Sequence, residues 1–318
     1  MRTLLLVVCL VLMTGCGPPQ VHPRQSACAA PPPMPKPFDP GGMIWLPAAL
    51  TTLGSPDPWP EESPAQEASL AGFWIDAFEV TNDQYAAFVA ATNYVTTAER
   101  NAAGSARFVP PSHLADLSDA SQWWRIDPTA TWRNPEGEGS NLEGRGAEPV
   151  VHLTQQDALA YARWLGRDLP TEAEWERAAQ GGLRAARYPW GNQASSDPAP
   201  RANIWQGLFP VRNTGDDGYQ GRAPVGCFAP NGLGLYDMAG NVWEIVADPW
   251  PPAAPMAAPG AYIVKGGSYL CADAFCHRYR TAARQPGDPT MGAAHIGFRT
   301  VLRGSSHSDA AETPHPPH

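Results

Sequence analysis

Glycine and proline are spread so densely through this chain that long regular elements are excluded. The 318 residues include 36 prolines and 30 glycines, about one residue in five. A coiled coil, a helix bundle or a helical repeat array needs helices that such a composition interrupts. We therefore expect an α/β (α+β) fold of a single loop-rich domain, with little regular secondary structure and a chain long enough to bury a core.

The net negative charge of the chain argues against one class of binding partner, the nucleic acids. The formal net charge is -9 at pH 7, from 31 acidic and 22 basic side chains. Proteins that bind nucleic acid concentrate lysine and arginine against the phosphate backbone. The composition therefore predicts no nucleic-acid partner. The 12 tryptophans predict aromatic packing against irregular backbone and around pockets.

The first sixteen residues have the pattern of an export signal. Arg2 precedes an apolar run at 3–13, which is too short to span a bilayer and has the length of a signal-peptide core. Residues 12–16 (LMTGC) resemble a bacterial lipobox, which implies cleavage before Cys16 and lipidation of that cysteine. A plain secretory signal is the alternative. The lipobox predicts an exported protein of the bacterial cell envelope, lipid-anchored to a membrane, with the outer membrane or the periplasmic face favoured.

Proline content then divides the chain. Nine prolines lie within residues 17–40, a composition typical of an extended, semi-rigid spacer. The C-terminal residues are polar and favour disorder. The predicted organisation of this monomer is a signal peptide at 1–15, a Pro-rich tether at 16–42, one folded domain at 43–302 and a disordered tail at 303–318.

Six cysteines occur, at positions 9, 16, 28, 227, 271 and 276. No pairing is indicated for Cys28 or Cys227, so we predict no disulfide framework. Cys271 and Cys276 are separated by four residues and followed by His277. This spacing leaves open a local structural disulfide, a variant haem attachment, a zinc site or a soft-metal pair. Spacing alone favours the disulfide.

Short regular elements are predicted where turn formers enclose apolar residues. Residues 43–47 and 73–80 have the composition of strands. Helices are predicted to begin at Thr81, Thr154 and Thr171, because each threonine can cap the helix that follows. The third cap is part of a Thr-x-x-Glu capping box.

Helical periodicity nearly stops beyond residue 185. A loop region of that length needs internal contacts that stabilise it, and bound cations can provide them. Asp216, Asp217, Asp237 and Glu244 offer carboxylate oxygens among glycines and asparagines. Ordinary Asx turns explain the same residues and are favoured on composition alone.

Five sequence blocks together form a family signature: 78–82 (FEVTN), 149–152 (PVVH), 169–176 (LPTEAEWE), 234–244 (GLYDMAGNVWE), and 265–268 (KGGS) with 297–299 (GFR). These blocks resemble the formylglycine-generating enzyme (sulfatase-modifying factor) family. They occur in the family's order, and they cover about 43–302. The resemblance implies a single α/β domain with little regular structure, related to C-type lectins.

The cysteine pair resembles the subgroup of this family that generates formylglycine. The motif RYR at 278–280 follows the pair, and NIWQG at 203–207 resembles the same subgroup. The resemblance implies a copper-dependent oxidase that uses O2. Its substrate would be an unfolded sulfatase, in which the cysteine of a Cys-x-Pro-x-Arg motif becomes Cα-formylglycine.

Individual roles follow from the same resemblance. Copper(I) would lie between the thiolates of Cys271 and Cys276, since soft sulfur ligands select this ion. Cys276 would be the firmer anchor, and Cys271 would face the substrate. Ser268 would help to bind oxygen or water near the metal. Trp243 would shape the substrate pocket, although core packing explains it equally well.

Two structural Ca²⁺ sites are also implied by the resemblance. Such cations would replace a core where loops cross. The first site would use Asn203, Asp217 and the backbone carbonyls of Ile204 and Tyr219. The second would use Asp237, Glu244 and the backbone carbonyls of Gly240 and Val242.

The sequence departs from the family at several positions. Phe275 stands where a tyrosine often precedes the second cysteine. Thr281 and Thr300 stand where secreted animal members carry disulfide cysteines. Gln180 and Arg167-Asp168 replace more basic residues.

Two other functions remain open. A non-enzymatic envelope lipoprotein could use the same fold for binding or assembly, with Cys271 and Cys276 as a plain disulfide. An iron-dependent sulfoxide synthase would need a helical domain with a histidine cluster. The eight histidines of this chain are scattered, so the second possibility is disfavoured.

Overall fold

The computed structural model of the chain describes residues 28–56, 58–113, 116–193, 200–251 and 258–304. The predicted signal peptide, the lipidated Cys16 and nearly all of the predicted tail lie outside these residues. No helix in the described ranges is long and apolar enough to cross a membrane.

The helices are short and begin at threonine caps. Thr81, Thr154 and Thr171 each accept a hydrogen bond from the third residue of the helix, and that residue's side chain accepts one from the cap. The three predicted helix starts are therefore confirmed. Thr96 caps a further one-turn helix in the same way, which was not predicted. The helices are α1 (Asn82–Thr92), α2 (Thr97–Arg100), α3 (Gln155–Trp164) and α4 (Glu172–Ala179), with a 3-10 turn at Ala120–Gln122.

Thirteen short strands in the described residues form five small sheets. One sheet has three antiparallel strands in the order β1-β4-β13, and another has four in the order β11-β10-β9-β12, with β12 parallel to β9. Three two-stranded sheets pair β2 with β3, β5 with β6 and β7 with β8. The strands are β1 (Met43–Leu46), β2 (Ala49–Leu53), β3 (Gln66–Leu70), β4 (Phe73–Asp76), β5 (Ser105–Phe108), β6 (Trp124–Asp127), β7 (Gly207–Leu208), β8 (Arg212–Asn213), β9 (Trp243–Pro249), β10 (Tyr262–Lys265), β11 (Arg284–Gly287), β12 (Ile296–Gly297) and β13 (Val301–Leu302).

The strand predicted at 73–80 ends at Asp76, whose side chain binds two neighbouring segments. The Asp76 carboxylate accepts bonds from the Thr300 amide at 2.9 Å and from Arg167 Nη1 at 2.8 Å. Thr281, the other threonine at a family cysteine position, donates from its hydroxyl to the Ala186 carbonyl at 2.6 Å. Both threonines are buried. Polar contacts therefore fasten the chain at these two positions.

A disulfide between Cys28 and Cys227 corrects the prediction that the chain lacks one. The two residues are 199 positions apart, so no local spacing could have indicated the pair. Beside the bond, the Ala29 amide donates to the Gly226 carbonyl at 2.9 Å, and the Phe38 amide donates to Leu165 at 2.8 Å. Residues 28–42 of the predicted tether are therefore docked on the domain rather than extended away from it.

Apolar side chains form three buried clusters. The first joins α1 and α3 to β9 and β10, and the second lies between β1, β4 and α4. The third is a smaller aromatic cluster that lies against the loop after β10 and includes Phe275 at its edge. Its buried members are Trp123, Trp205, Phe209, Tyr269, Leu270 and Ala272.

Candidate active site

The loop after β10 is shaped by two glycines so that it can hold the cysteine pair. Gly266 and Gly267 have φ values of +93° and +75°, and a Cβ on Gly267 would lie 2.8 Å from the backbone of Tyr279. Only glycine tolerates both constraints. The chain then turns back at 272–275, where Ala272 and Phe275 exchange backbone hydrogen bonds of 2.8 and 3.1 Å. This turn returns Cys276 towards Cys271.

The two cysteines face each other as free thiols. Their sulfur atoms are 3.1 Å apart, well beyond the roughly 2.05 Å of a disulfide bond. The structural disulfide favoured by the spacing is therefore not formed. The thiol of Cys271 hydrogen-bonds to Cys276, which lowers the pKa of Cys276, and the positive charge of Arg278 lowers it further. Burial raises the pKa of Cys271 well above its usual value, so the negative charge of the pair rests on Cys276.

The division of roles between the two cysteines stays a prediction. Cys271 is 1% exposed, whereas Cys276 is only partly buried. Cys276 also has a left-handed backbone, with φ of 58°, which turns its side chain at the end of the loop.

A cavity of about 180 Å³ opens over the thiol pair. Ser268 and Trp243, both predicted at the site, line this cavity together with the two cysteines. The Ser268 carbonyl accepts a hydrogen bond of 2.9 Å from the Cys271 amide, which fixes the serine beside the thiols. The other aromatic residues of the lining are Trp123, Trp124, Phe209 and Phe275.

Several cavity residues were not singled out from the sequence. Arg278 belongs to the RYR motif, so its position after Cys276 was a usable signal. Gln285 and His295 carry no motif of their own, and only the fold brings them to the thiols. The predicted loss of a hydroxyl at Phe275 is accompanied by a packing role, because its ring stacks on Phe209 with centroids 4.3 Å apart.

The side chains around the two thiols decide which metal ion the site fits. Within the described residues, no group of three histidine, cysteine, aspartate or glutamate side chains is arranged to hold a metal. A zinc site needs three or four such ligands. His277 turns to the Tyr188 hydroxyl, at 2.7 Å, instead of to the thiols. Two soft sulfurs without further protein ligands fit copper(I).

The residues predicted for the first calcium site lie together. The Asp217 carboxylate accepts hydrogen bonds from the backbone amides of Ile204, at 3.1 Å, and Tyr219, at 2.9 Å. Asn203 Oδ1 is buried and has no hydrogen-bond partner among the described residues. Burial also raises the pKa of Asp217, as expected of a carboxylate short of solvation. An unpartnered amide oxygen and a buried carboxylate are ligands of the kind that a hard cation takes. In this structure the Gln206 side-chain amide donates to Asp217 Oδ2 at 2.8 Å and to the Ile204 carbonyl.

The second predicted calcium site fits a cation less well. Both Glu244 oxygens already accept from the Arg299 guanidinium, at 2.6 and 2.7 Å, and one also accepts from Trp175 Nε1 at 2.7 Å. Asp237 accepts from the Gly226 amide at 2.7 Å. Gly240 and Val242, the predicted carbonyl ligands, lie in the same loop and are buried. The excess of negative charge nevertheless favours a cation, because Glu79 joins the two carboxylates around one arginine. Burial raises the pKa of Glu79, and the neighbouring Asp237 and Glu244 raise it as well.

Fold and site together define a sulfur-centred active site on a loop-rich α/β domain. The family of the sulfatase-modifying factor enzyme 1-like domain matches residues 29–304. The chain therefore belongs to this family. It is 48% identical over 282 residues to a formylglycine-generating enzyme of Thermomonospora curvata, covering 81% of this chain and 92% of that protein.

Two further matches limit what this similarity implies about activity. The chain is 40% identical over 266 residues to an inactive C-alpha-formylglycine-generating enzyme 2 of Mus musculus, covering 81% of this chain and 84% of that protein. The structure of PvdO from Pseudomonas aeruginosa matches with a TM-score of 0.57 and 25% identity, covering 81% of this chain and 93% of that one. Membership of the family therefore does not by itself decide activity.

Proposed function

We propose that this chain generates formylglycine. Its substrate is a cysteine in a Cys-x-Pro-x-Arg motif of an unfolded sulfatase, O2 is the electron acceptor, and Cys271 and Cys276 hold copper(I). The observation that carries the proposal is the pair of reduced thiols 3.1 Å apart at the base of an aromatic cavity. The relatives named formylglycine-generating enzymes support it.

The chain's own residues prepare the site for a third sulfur. Copper(I) bound by the two thiolates would supply one-electron redox chemistry towards O2. Arg278 favours the thiolate of Cys276, which is the form that binds a soft metal. Ser268 offers a buried hydroxyl in the same cavity for oxygen or water. Trp243 is buried and contributes its ring to the lining of the same cavity.

The size of the cavity supports the proposal of an unfolded substrate. About 180 Å³ accommodates a cysteine side chain and the backbone next to it, and it excludes a folded domain. The target cysteine must therefore be presented on an extended segment. Aromatic walls suit the proline of the motif, since aromatic rings offer an apolar face to a pyrrolidine ring.

Electron balance sets a requirement for the assay. Conversion of a thiol to an aldehyde with release of sulfide removes two electrons from the substrate. Reduction of O2 to two oxygen atoms at the level of water requires four. The remaining two electrons come from an external thiol, which is oxidised to a disulfide. A reductant is therefore a co-reactant of the reaction.

Two Ca²⁺ ions are proposed as structural partners of the loops. The first, at Asn203 and Asp217, is supported by the unpaired Asn203 Oδ1. The second, near Asp237, is supported by the excess of buried carboxylates. We also propose that lipidation of Cys16 attaches the protein to a membrane of the bacterial envelope, where the sulfatase would be met after export and before folding.

The competing proposal is a non-enzymatic envelope lipoprotein, which the inactive relative keeps open. The deciding assay incubates the full chain, loaded with copper(I), with the peptide Leu-Cys-Thr-Pro-Ser-Arg and a thiol under air. We expect the peptide mass to fall by the difference between a thiol and an aldehyde, and the product to react with a hydrazide. Cys271→Ser and Cys276→Ser should each abolish conversion.

A double variant, Cys28→Ser with Cys227→Ser, is the matched control, because it removes two cysteines away from the cavity. It should retain conversion. Binding of copper(I) without conversion would point to a different thiol substrate. Failure to bind copper(I) and to convert the peptide would favour the lipoprotein.

A further inference from the structure

His295 lies in the cavity of the thiol pair without belonging to any sequence motif. Its ring packs against Trp124, with centroids 4.6 Å apart. Its carbonyl accepts a hydrogen bond of 2.8 Å from the Trp243 amide, and β12 begins at the next residue. Backbone and ring are therefore both held in place before any ligand arrives.

The two nitrogens of the His295 ring differ in environment. Nδ1 is buried and has no hydrogen-bond partner in the part of the chain that the structure describes. Nε2 is not among the buried atoms that lack a partner. Because His295 lines the cavity, Nε2 is the nitrogen that reaches it. The ring therefore presents one accessible polar atom to the cavity that the thiols also line.

The charge and tautomer of the ring follow from its surroundings. Burial lowers the pKa of His295 to about 3, and the nearby His152 and Arg222 lower it as well. A neutral imidazole carries a single hydrogen. A buried N–H without an acceptor is rarer and costlier than a buried acceptor without a donor. The hydrogen is therefore assigned to Nε2, which makes the accessible atom a donor.

A peptide in this cavity needs such a donor. An extended segment brings backbone carbonyls along with its cysteine, and aromatic walls cannot replace the water that these carbonyls lose. We propose that His295 binds the substrate: its Nε2–H donates a hydrogen bond to a backbone carbonyl of the peptide next to the reacting cysteine. This inference rests on the proposed function and assigns a substrate contact within it.

The first test measures binding without chemistry. The copper-free full chain is titrated calorimetrically with Leu-Ser-Thr-Pro-Ser-Arg, in which serine replaces the reactive cysteine. His295→Leu should weaken binding about five- to tenfold, as expected for one lost hydrogen bond to a buried group. His295→Gln, whose amide nitrogen can donate from a similar position, should stay within about twofold of the wild type. His113→Leu, at an exposed histidine outside the cavity lining, is the control.

The second test separates binding from the reaction. With the cysteine peptide and copper(I), His295→Leu should raise KM and leave kcat nearly unchanged, because the bond is made equally in the ground state and the transition state. Wild-type affinity should be flat between pH 5 and pH 8, since the ring stays neutral there. Thermal unfolding of each variant reports whether the fold is intact.

The outcomes distinguish the inference from the proposed function. Equal binding by the wild type and His295→Leu would overturn the role of His295 while leaving the enzyme proposal intact. A fall in kcat at unchanged KM would also overturn it, because His295 would then act on the chemistry. Failure of the wild type both to bind the serine peptide and to convert the cysteine peptide would remove the proposed function and this inference together.

Discussion

The buried histidine His152 predicts a measurable dependence of stability on pH. Its ring is fully buried, with Nδ1 2.8 Å from the Ser105 hydroxyl and Nε2 2.8 Å from the Pro135 carbonyl. Burial lowers its pKa to about 4, and the Arg222 charge adds to this, while the Pro135 carbonyl and nearby Glu136 act in the opposite direction. The folded protein therefore resists protonation of this ring.

The sign and size of the effect follow from linkage. The unfolded chain binds a proton at His152 near pH 6.5, whereas the folded chain does so only near pH 4. Between these values the unfolded state holds more protons, so stability falls as the pH falls. The same two pKa values give a loss of about 2 kcal/mol from pH 8 to pH 5.

Urea unfolding of the wild type and His152→Asn at pH 8 and pH 5 measures this term. Asparagine suits the backbone, because His152 has φ of 64° and asparagine tolerates the left-handed region. At pH 8 the variant should be less stable by about 1–3 kcal/mol, since it gives up the bond to Pro135. The difference between the two proteins should shrink by about 2 kcal/mol at pH 5.

The difference in unfolding free energy between the wild type and His152→Asn removes the contribution of the carboxylates, because these titrate in both proteins. A difference that stays constant between pH 8 and pH 5 would refute the reasoning, because His152 would then carry no proton linkage. Identical urea dependence of the two free energies is required for the comparison, since a changed slope would signal a changed unfolded state.

Three other perturbations have expected outcomes. Cys227→Ser should lower the free energy of unfolding in urea by up to about 5 kcal/mol, because the bond to Cys28 closes a very long loop; an unchanged midpoint would contradict this. Chelation of Ca²⁺ should lower the wild-type Tm by a few degrees, and Asn203→Leu should reduce that shift; equal shifts would remove Asn203 from the site. Arg299→Met should lower the free energy of unfolding in urea by about 3–5 kcal/mol, because the Glu244 carboxylate would be buried without its ion-pair partner. A loss under about 1 kcal/mol would show that Glu244 does not depend on Arg299.

Local features of this fold were predictable because their causes lie within a few residues. A threonine followed three positions later by a polar side chain determines each helix start, and the structure has the boxes at Thr81, Thr154 and Thr171. The family resemblance predicted the cysteine pair, Ser268 and Trp243 at one site, and these residues line one cavity. The density of glycine and proline predicted short elements and long loops.

Features that depend on distant parts of the chain were not predictable from spacing. Cys28 and Cys227 carry no local signal, and the prolines around Cys28 suggested a tether although this segment is docked. His295 lines the cavity of the thiols because β12 pairs with β9, which carries Trp243. The second calcium site was predicted from motif residues, and the sequence did not indicate that Arg299 would engage Glu244.

The position of Cys276 itself depends on residues far away in the sequence. Trp59 lies in the connection between β2 and β3, and its ring packs against the guanidinium groups of Arg278 and Arg280, at 4.9 and 4.3 Å. Two carboxylates in the same connection hold these arginines: Glu61 binds Arg278 at 2.6 Å, and Glu62 forms a buried ion pair with Arg280.

Because Arg278 lowers the pKa of Cys276, this connection acts on the thiol as well as on the loop. A loop-rich domain has few long elements with which to hold an active site rigid. Here the buried Glu62–Arg280 pair, the partly exposed Glu61–Arg278 pair and an aromatic ring supply that rigidity. Removing one partner of the buried pair is costly. Substitutions at Glu61 and Glu62, which touch neither thiol, should therefore disturb the geometry of the thiol pair before they disturb the hydrophobic core.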